Sequence, residues 1–191
     1  ENEKIKFQLQ TLKSQVNPHF LFNSFNTLIS VIEKNQQSAV EYVQKLSEFF
    51  RNMVNYRNID FISLDEEIAM ADVYFYLQQK RYNQNLMMQL NITAEQRKKY
   101  GIAPLSVQML IENAIKHNAV SKETPLLITI SVENEMLVIS NNINPKLNKE
   151  PSSGLGLSNI SSRYKLLTGK SIIIEPEADK FIVRIPLVHF K

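Results

Sequence analysis

A histidine near the N-terminus lies between two amides at helical spacing. His19 has Gln15 four residues before it and Asn23 four residues after it, in the stretch Gln-Val-Asn-Pro-His-Phe-Leu-Phe-Asn. Residues four apart share one face of an α-helix, so the two amides can orient the imidazole and select its tautomer. An imidazole held in this way can act as a nitrogen nucleophile. The alternative interpretation is an ordinary polar helix face beside a kink at Pro18.

A second polar group occupies the run Leu-Ile-Glu-Asn-Ala-Ile-Lys-His-Asn at residues 110–118. Asn113, Lys116 and His117 fall at i, i+3 and i+4 and therefore share one helix face. An amide oxygen is a suitable ligand for Mg²⁺, and Lys and His suit phosphate oxygens. By spacing alone, a solvated polar helix face fits equally well.

Two of the four glycines of the chain, Gly154 and Gly156, lie one residue apart. They begin the stretch Gly-Leu-Gly-Leu-Ser-Asn, which leads into a predicted helix over residues 157–168 that Gly169 closes. Closely spaced glycines before a helix let backbone N–H groups approach an anion, which the helix dipole also favours. A Gly-x-Gly pair by itself also fits an ordinary flexible loop.

Two amphipathic helices are predicted in residues 1–62. Apolar residues recur at spacings of three and four over residues 3–35 and again over residues 38–57. The short polar link between them favours an antiparallel hairpin. Because such a hairpin cannot bury both apolar stripes by itself, we expect two copies to form a four-helix bundle.

Residues 63–191 predict a second domain, an α/β sandwich with a mixed sheet, so the fold class is α+β. Ser63 and Glu66 have capping-box spacing and open a helix that runs to about Asn83. The other predicted elements are a strand over 86–93, a loop containing Gly101, a helix over 105–119, a hairpin over 126–141 turning at Asn134–Glu135, a loop over 142–155, and strands at 171–176 and 181–188.

Composition excludes several classes of protein. None of the 191 residues is Cys, which rules out a disulfide scaffold, a Cys-ligated zinc site and a thiol nucleophile. A net charge of +3 is too small to argue for nucleic-acid binding. No apolar stretch reaches the roughly 18 residues that span a bilayer, so we expect no direct membrane contact. Because residue 1 is Glu and not Met, we expect a piece of a longer protein.

Together and in this order, the three motifs resemble the core of bacterial sensor histidine kinases of the autolysin-sensor (Lyt-type) group. The phosphoacceptor pattern Q-x-N-P-H-F-L-F-N is present at Gln15–Asn23, the N-box pattern L-x-E-N-A-x-K-H at Leu110–His117, and the glycine box G-L-G-L-x-N at Gly154–Asn159. The resemblance covers nearly the whole chain. It implies a dimerisation and phosphotransfer hairpin followed by an ATP-binding domain of the GHKL class (gyrase, chaperone, histidine kinase and MutL).

The resemblance implies a role for each motif residue. His19 would be the phosphoacceptor, oriented by Gln15 and Asn23, and Asn113 would hold Mg²⁺ at the triphosphate. The other residues implied to bind the nucleotide are Lys116, His117, Asn118, Asn141, Gly154, Leu155, Gly156 and Asn159, with the two glycines as hinges of an ATP lid over 142–155. Arg51 and Arg81 also fall where such kinases carry arginines.

Two departures from the family pattern bear on the site. Asn141 stands where the family has an adenine-binding Asp, and Ile143 stands where it has a Gly. An Asn carbonyl can accept from the adenine amino group, but without charge assistance the bond is weaker. Phe20 follows His19 where many kinases carry an acid, so Glu112 is the candidate general base.

The function implied by the resemblance is ATP-dependent autophosphorylation of His19, followed by transfer to an aspartate in the receiver domain of a response regulator. ATP and Mg²⁺ are the implied cofactors, and a homodimer and the regulator are the implied partners. This fragment would be cytoplasmic, and the full-length protein would be anchored in the cytoplasmic membrane. Two alternatives are a pseudokinase that relays a conformational signal with weak or no ATP binding, and a helical adaptor fused to an unrelated α/β domain.

Overall fold

The computed structural model describes residues 18–56, 59–146 and 155–190. The helices there are α1 (Pro18–Lys34), α2 (Gln36–Asn55), α3 (Leu64–Tyr82), α4 (Ala94–Lys99), α5 (Ser106–His117) and α6 (Leu155–Thr168). The strands are β1 (Ile62–Ser63), β2 (Leu86–Asn91), β3 (Tyr100–Ile102), β4 (Leu126–Glu133), β5 (Met136–Asn142), β6 (Ile173–Pro176), β7 (Lys180–Pro186) and β8 (Val188–His189), and a 3₁₀ turn covers Asn83–Asn85. Helices and strands together confirm the α+β class.

The chain divides into two compact units, residues 1–46 and 47–191, and the division falls inside α2. The predicted functional boundary at residue 62 stays a prediction. None of the helices in the described ranges is long and apolar enough to cross a membrane.

The described part of the first unit is helical. The predicted helix over residues 3–35 agrees with α1 from Pro18 onward, and its earlier part lies outside the described residues. A single residue, Asn35, separates α1 from α2, so the polar link between the helices is even shorter than predicted. The Asn35 side-chain oxygen accepts the Ser38 N–H at 2.9 Å, which caps the N-terminus of α2.

The second unit is built around a five-stranded sheet of order β2-β4-β5-β7-β6. β2 and β4 are parallel and the other neighbours are antiparallel, so the predicted mixed sheet is confirmed. The predicted hairpin turn is also confirmed: Asn134 and Glu135 have φ of 49° and 61°, the positive pair that joins twisted antiparallel strands. α5 packs against β4 and β5 of the sheet and against the helices α3 and α6, and α3 also contacts β2. Ile111 of α5, Ile128 of β4 and Leu137 of β5 are fully buried.

Short sequence patterns correctly predicted where two of the helices begin or end. The Ser63–Glu66 capping box is complete, since each side chain accepts the other residue's backbone N–H. Gly169 has φ of 69° directly after α6, the left-handed conformation that ends helices. α4 was not predicted, although Thr93 and Gln96 form a second capping box with the same spacing.

A second, three-stranded sheet of order β1-β3-β8 was not predicted. Its strands have only two or three residues, which is too short for an alternating pattern to be visible. The prediction that Gly101 lies in a loop is therefore wrong. Gly101 lies in the central strand β3, where it is paired with Ser63 of β1 and Val188 of β8.

Replacing Gly101 with Ala is expected to lower the free energy of unfolding by about 1–3 kcal/mol. A Cβ at this position would lie 2.5 Å from Phe190 Cδ2 and 3.1 Å from the Ile62 carbonyl oxygen, so the Phe190 ring must leave its place. Urea denaturation measures the change. Gly156→Ala is the matched control, because a Cβ there meets nothing within 4 Å. Equal stabilities of the two variants would show that Phe190 moves aside without cost.

Candidate functional site

The polar residues of α5 lie in its second half. Asn113 and Lys116 are partly exposed, and His117 is exposed. Partial burial lowers the pKa of His117, and the nearby positive charges of Lys116 and Lys146 lower it further. Lys146 was not among the predicted site residues, because nothing in the sequence shows that it lies beside α5. Lys116 and Lys146 thus place two positive charges near the His117 imidazole, and a bound anion would offset their mutual repulsion.

The hydrogen bonds of Asn118 hold the segment that carries Lys146 close to the end of α5. Its side chain is buried, with Nδ2 donating to the Ala114 carbonyl at 2.8 Å and Oδ1 accepting the Asn144 N–H at 2.7 Å. These bonds hold the segment after β5 against the end of α5. Direct contact between Asn118 and a nucleotide stays a prediction.

Asn141 lies near the end of β5, on the buried face of the sheet. Its Nδ2 donates to the Asn142 carbonyl at 2.7 Å, which orients the amide so that Oδ1 is the atom left to accept a further bond. That atom is the one an adenine amino group would need.

Ile143 does not strain the backbone where the family has glycine. It is not one of the described residues with positive φ, so its backbone conformation is open to any L-amino acid. Its N–H donates to the Asp179 carbonyl at 3.0 Å. The loss of glycine at this position therefore has no conformational cost.

Glu112 lies on the side of α5 that faces α3. Burial raises the pKa of Tyr74 on α3, and the negative charge of Glu112 raises it further, while Arg81 partly offsets the rise. Successive helix residues point about 100° apart, so Asn113 points in a different direction from Glu112. The role of Glu112 as a base stays a prediction.

Gly156 and Asn159 are exposed in the first two turns of α6, which packs against α5. Gln15 and Gly154 lie outside the described residues, as does the side chain of Leu155. Arg51 is exposed on α2, and the Arg81 guanidinium lies 5.0 Å above the Tyr82 ring.

His19 is exposed on α1, and Asn23 contacts its ring. The Asn23 Nδ2 lies 3.2 Å from both Nδ1 and Nε2 of the imidazole. An equidistant donor restrains the ring but does not select one nitrogen. Tautomer selection by the two flanking amides therefore stays a prediction.

Glu67 is a buried carboxylate that sequence analysis missed. Its Oε2 accepts the Leu105 N–H at 2.8 Å, and its Oε1 accepts the Val107 N–H at 2.7 Å. Leu105 precedes α5 with φ of 66°, a strained conformation for Leu, and offers no side-chain cap. The carboxylate on α3 therefore supplies the cap that the sequence of α5 lacks.

Burial raises the pKa of Glu67 to about 7, although three backbone N–H groups and Arg163 oppose the rise. The Glu67 carboxyl group therefore holds its proton more tightly in the folded chain than in the unfolded chain. The contribution of this difference to the free energy of unfolding is fully present below the ordinary pKa of 4.5. It is lost as the pH rises through about 7. At about 1.4 kcal/mol per pKa unit, the loss amounts to about 3 kcal/mol.

Glu67→Gln is expected to remove this pH dependence, because Gln has no proton to release. Between pH 5 and pH 8, wild type should lose stability relative to Glu67→Gln by about 2–3 kcal/mol in urea denaturation. Glu177→Gln, at an exposed position, is the control and should follow wild type. Parallel pH profiles for wild type and Glu67→Gln would show that the hydrogen bonds and Arg163 cancel the effect of burial.

The five-stranded mixed sheet and the three helices α3, α5 and α6 have the GHKL-like fold of histidine kinase catalytic domains. The histidine kinase family model matches residues 7–86, and the chain resembles the core of bacterial sensor histidine kinases. It is similar to the sensor histidine kinase/phosphatase LytS of Staphylococcus aureus, in strains MRSA252 and NCTC 8325 among others. The identity is 31% over 188 residues, which cover 90% of this chain and 32% of the relative.

The chain therefore spans about a third of the length of these relatives. Among solved structures, it is similar to the cytoplasmic segment of histidine kinase QseC. The TM-score is 0.50 and the identity 16%, over 82% of this chain and 96% of that one. At this identity the likeness shows the fold alone.

Proposed function

We propose that the chain is the catalytic core of a two-component sensor kinase that phosphorylates His19 from ATP and passes the phosphoryl group to a response-regulator aspartate. The observation that carries the proposal is the cluster of Lys116, His117 and Lys146 beside Asn113. Three groups that can carry positive charge beside a neutral oxygen ligand suit a magnesium triphosphate. The exposed His19 on a separate helix supplies the acceptor.

The donor set of the α5 face fits Mg²⁺ bound together with phosphates. Within the described ranges, no group of three His, Asp or Glu side chains could hold a metal ion by itself. Asn113 would contribute one oxygen ligand, and phosphate oxygens and water would complete the shell, as Mg²⁺ prefers. When bound, Mg²⁺ neutralises charge on the phosphates.

In the proposed reaction, a ring nitrogen of His19 forms a bond to the γ-phosphorus of ATP. The bond from that phosphorus to the bridging oxygen breaks, and ADP leaves with the electron pair. The other ring nitrogen then releases its proton, and Glu112 is the candidate acceptor. In the second step the phosphorus–nitrogen bond breaks as a regulator carboxylate takes the phosphoryl group. Positioning and charge neutralisation dominate such transfers.

An apolar stripe on α1 supports a homodimer. Phe22, Phe25, Ile29 and Ile32 follow one another at spacings of three, four and three, with exposed fractions of 69%, 49%, 57% and 55%. A stripe of large apolar side chains open to water marks an association surface. We infer that a second copy covers it in a four-helix bundle.

The test is incubation of the chain with Mg²⁺ and ATP labelled at the γ-phosphate. We expect label on the protein that acid removes and base does not, as for a phosphorus–nitrogen bond. Acid-stable label, or no label, would overturn the proposal.

Asn141 in place of the family Asp favours one alternative, a pseudokinase that relays a conformational change. A neutral acceptor makes a weaker bond to the adenine amino group than a carboxylate does. Calorimetric titration with Mg²⁺ and ATP separates the two functions. No detectable binding at millimolar nucleotide would favour the relay.

A further inference from the structure

Arg163 on α6 joins three segments of the second unit. Its Nη2 donates to the Ile59 carbonyl at 2.7 Å, and its Nη1 donates to the Pro104 carbonyl at 3.1 Å. Ile59 lies between α2 and β1, and Pro104 lies in the turn that enters α5. One side chain thus connects the segment after α2 with the helix that carries Asn113.

The guanidinium group suits this position because of its shape. Both acceptors are backbone carbonyls, and a planar fork can donate to two oxygens at once, which a single ammonium group does with less defined geometry. The charge of Arg163 also acts on Glu67, whose carboxylate holds the first turn of α5. Arg163 therefore belongs to the polar network that fixes the start of α5.

Arg163 is separate from the polar face of α5. It lies one turn beyond Asn159 on α6, and both of its described hydrogen bonds go to backbone carbonyls. Removing it should leave the cluster around Lys116 and His117 in place. What it should change is the connection from the nucleotide helices to the segment that follows α2.

We propose that Arg163 is a positioning residue for phosphoryl transfer, which holds the segment after α2 to the helices that carry Asn113 and Asn159. This inference rests on the proposed kinase function. Transfer requires the γ-phosphate to meet a nitrogen on α1, so it depends on this connection. The α5 residues proposed to bind nucleotide lie in the second half of that helix, away from the Arg163 bond at its start, so nucleotide binding should change less. A small misplacement of reacting groups can cost orders of magnitude in rate.

The test compares Arg163→Gln with Lys165→Gln, which removes an exposed cation from the same helix. The initial rate of His19 phosphorylation is measured over a range of ATP concentrations. For Arg163→Gln, the rate at saturating ATP should fall about tenfold or more, while the half-saturating ATP concentration changes less than about threefold. Lys165→Gln should match wild type. An unchanged saturating rate, or a loss of ATP affinity alone, would overturn the proposal.

Hydrogen exchange gives a readout that does not need kinase activity. Backbone amides of residues 59–63 should exchange faster in Arg163→Gln than in wild type or Lys165→Gln, while amides of β5 remain unchanged. Unchanged exchange at residues 59–63 would refute the connection. If wild type forms no phosphohistidine, the proposed kinase function fails, and exchange still decides whether Arg163 holds the segment.

Arg163→Lys tests whether the paired donors of the guanidinium group or only the positive charge of the side chain is required. It keeps a cation facing Glu67 but loses the rigid pair of donors. A slow saturating rate in Arg163→Lys supports the role of the two carbonyl bonds. A full wild-type rate would assign the effect to charge and overturn that role.

Discussion

His19→Gln is expected to abolish phosphohistidine formation and to leave nucleotide affinity unchanged. Gln keeps polar atoms and a similar reach, but its amide nitrogen has no basic lone pair with which to attack phosphorus. His19 is exposed on α1, so the substitution leaves no buried group without a partner. Labelled phosphate on the protein and calorimetric ATP binding are measured side by side.

His189→Gln is the matched control for this experiment. His189 is also exposed, and its Nε2 lies 3.2 Å from Glu135 Oε1 in the second unit. This variant should take up label at the wild-type rate. Label in His19→Gln at the wild-type rate would show that another residue is the acceptor, and label lost in both variants would point to a general effect of histidine replacement.

Asn113→Ala is expected to abolish the part of nucleotide binding that depends on Mg²⁺. The amide oxygen is the proposed protein ligand of the ion, and changes even in groups that only support metal ligands cost about 10–100-fold in affinity. ATP affinity should therefore become nearly the same with and without Mg²⁺. Calorimetric titration in Mg²⁺ and in a chelator measures this ratio.

The fold should survive this substitution. Asn113 is partly exposed on α5, and Ala is the better helix former. Asn26→Ala, which makes the same change at an exposed position of α1, is the control and should retain the Mg²⁺ dependence of wild type. If Asn113→Ala keeps that dependence while its thermal unfolding is normal, Asn113 is not the magnesium ligand.

Features that depend on neighbours in the chain were predictable. The Ser63–Glu66 capping box, the Asn134–Glu135 turn and the left-handed Gly169 all involve residues within four positions of one another. The shared face of Asn113, Lys116 and His117 follows from helical spacing in the same way. The sequence by itself therefore determined the main elements and which polar residues lie together on a helix.

Features that depend on packing were not predictable. Lys146 is 29 positions after His117, and the buried bonds of Asn118 to Asn144 bring the two together. Gly101 appeared to be a loop residue because its partners Ser63 and Val188 lie far away in the chain. No local pattern reports such pairings, since they form only when distant segments meet.

Glu66 and Glu67 show most clearly how a feature determined by local sequence differs from one that depends on packing. In the sequence, Glu66 and Glu67 look alike, and the capping pattern singles out Glu66. In the folded chain, Glu66 is exposed at the start of α3, while Glu67 is fully buried and holds the first turn of α5. The rotation of about 100° between neighbouring helix positions separates them. The sequence determined that a helix begins there, but only the packing of α3 against α5 decided which carboxylate is removed from water.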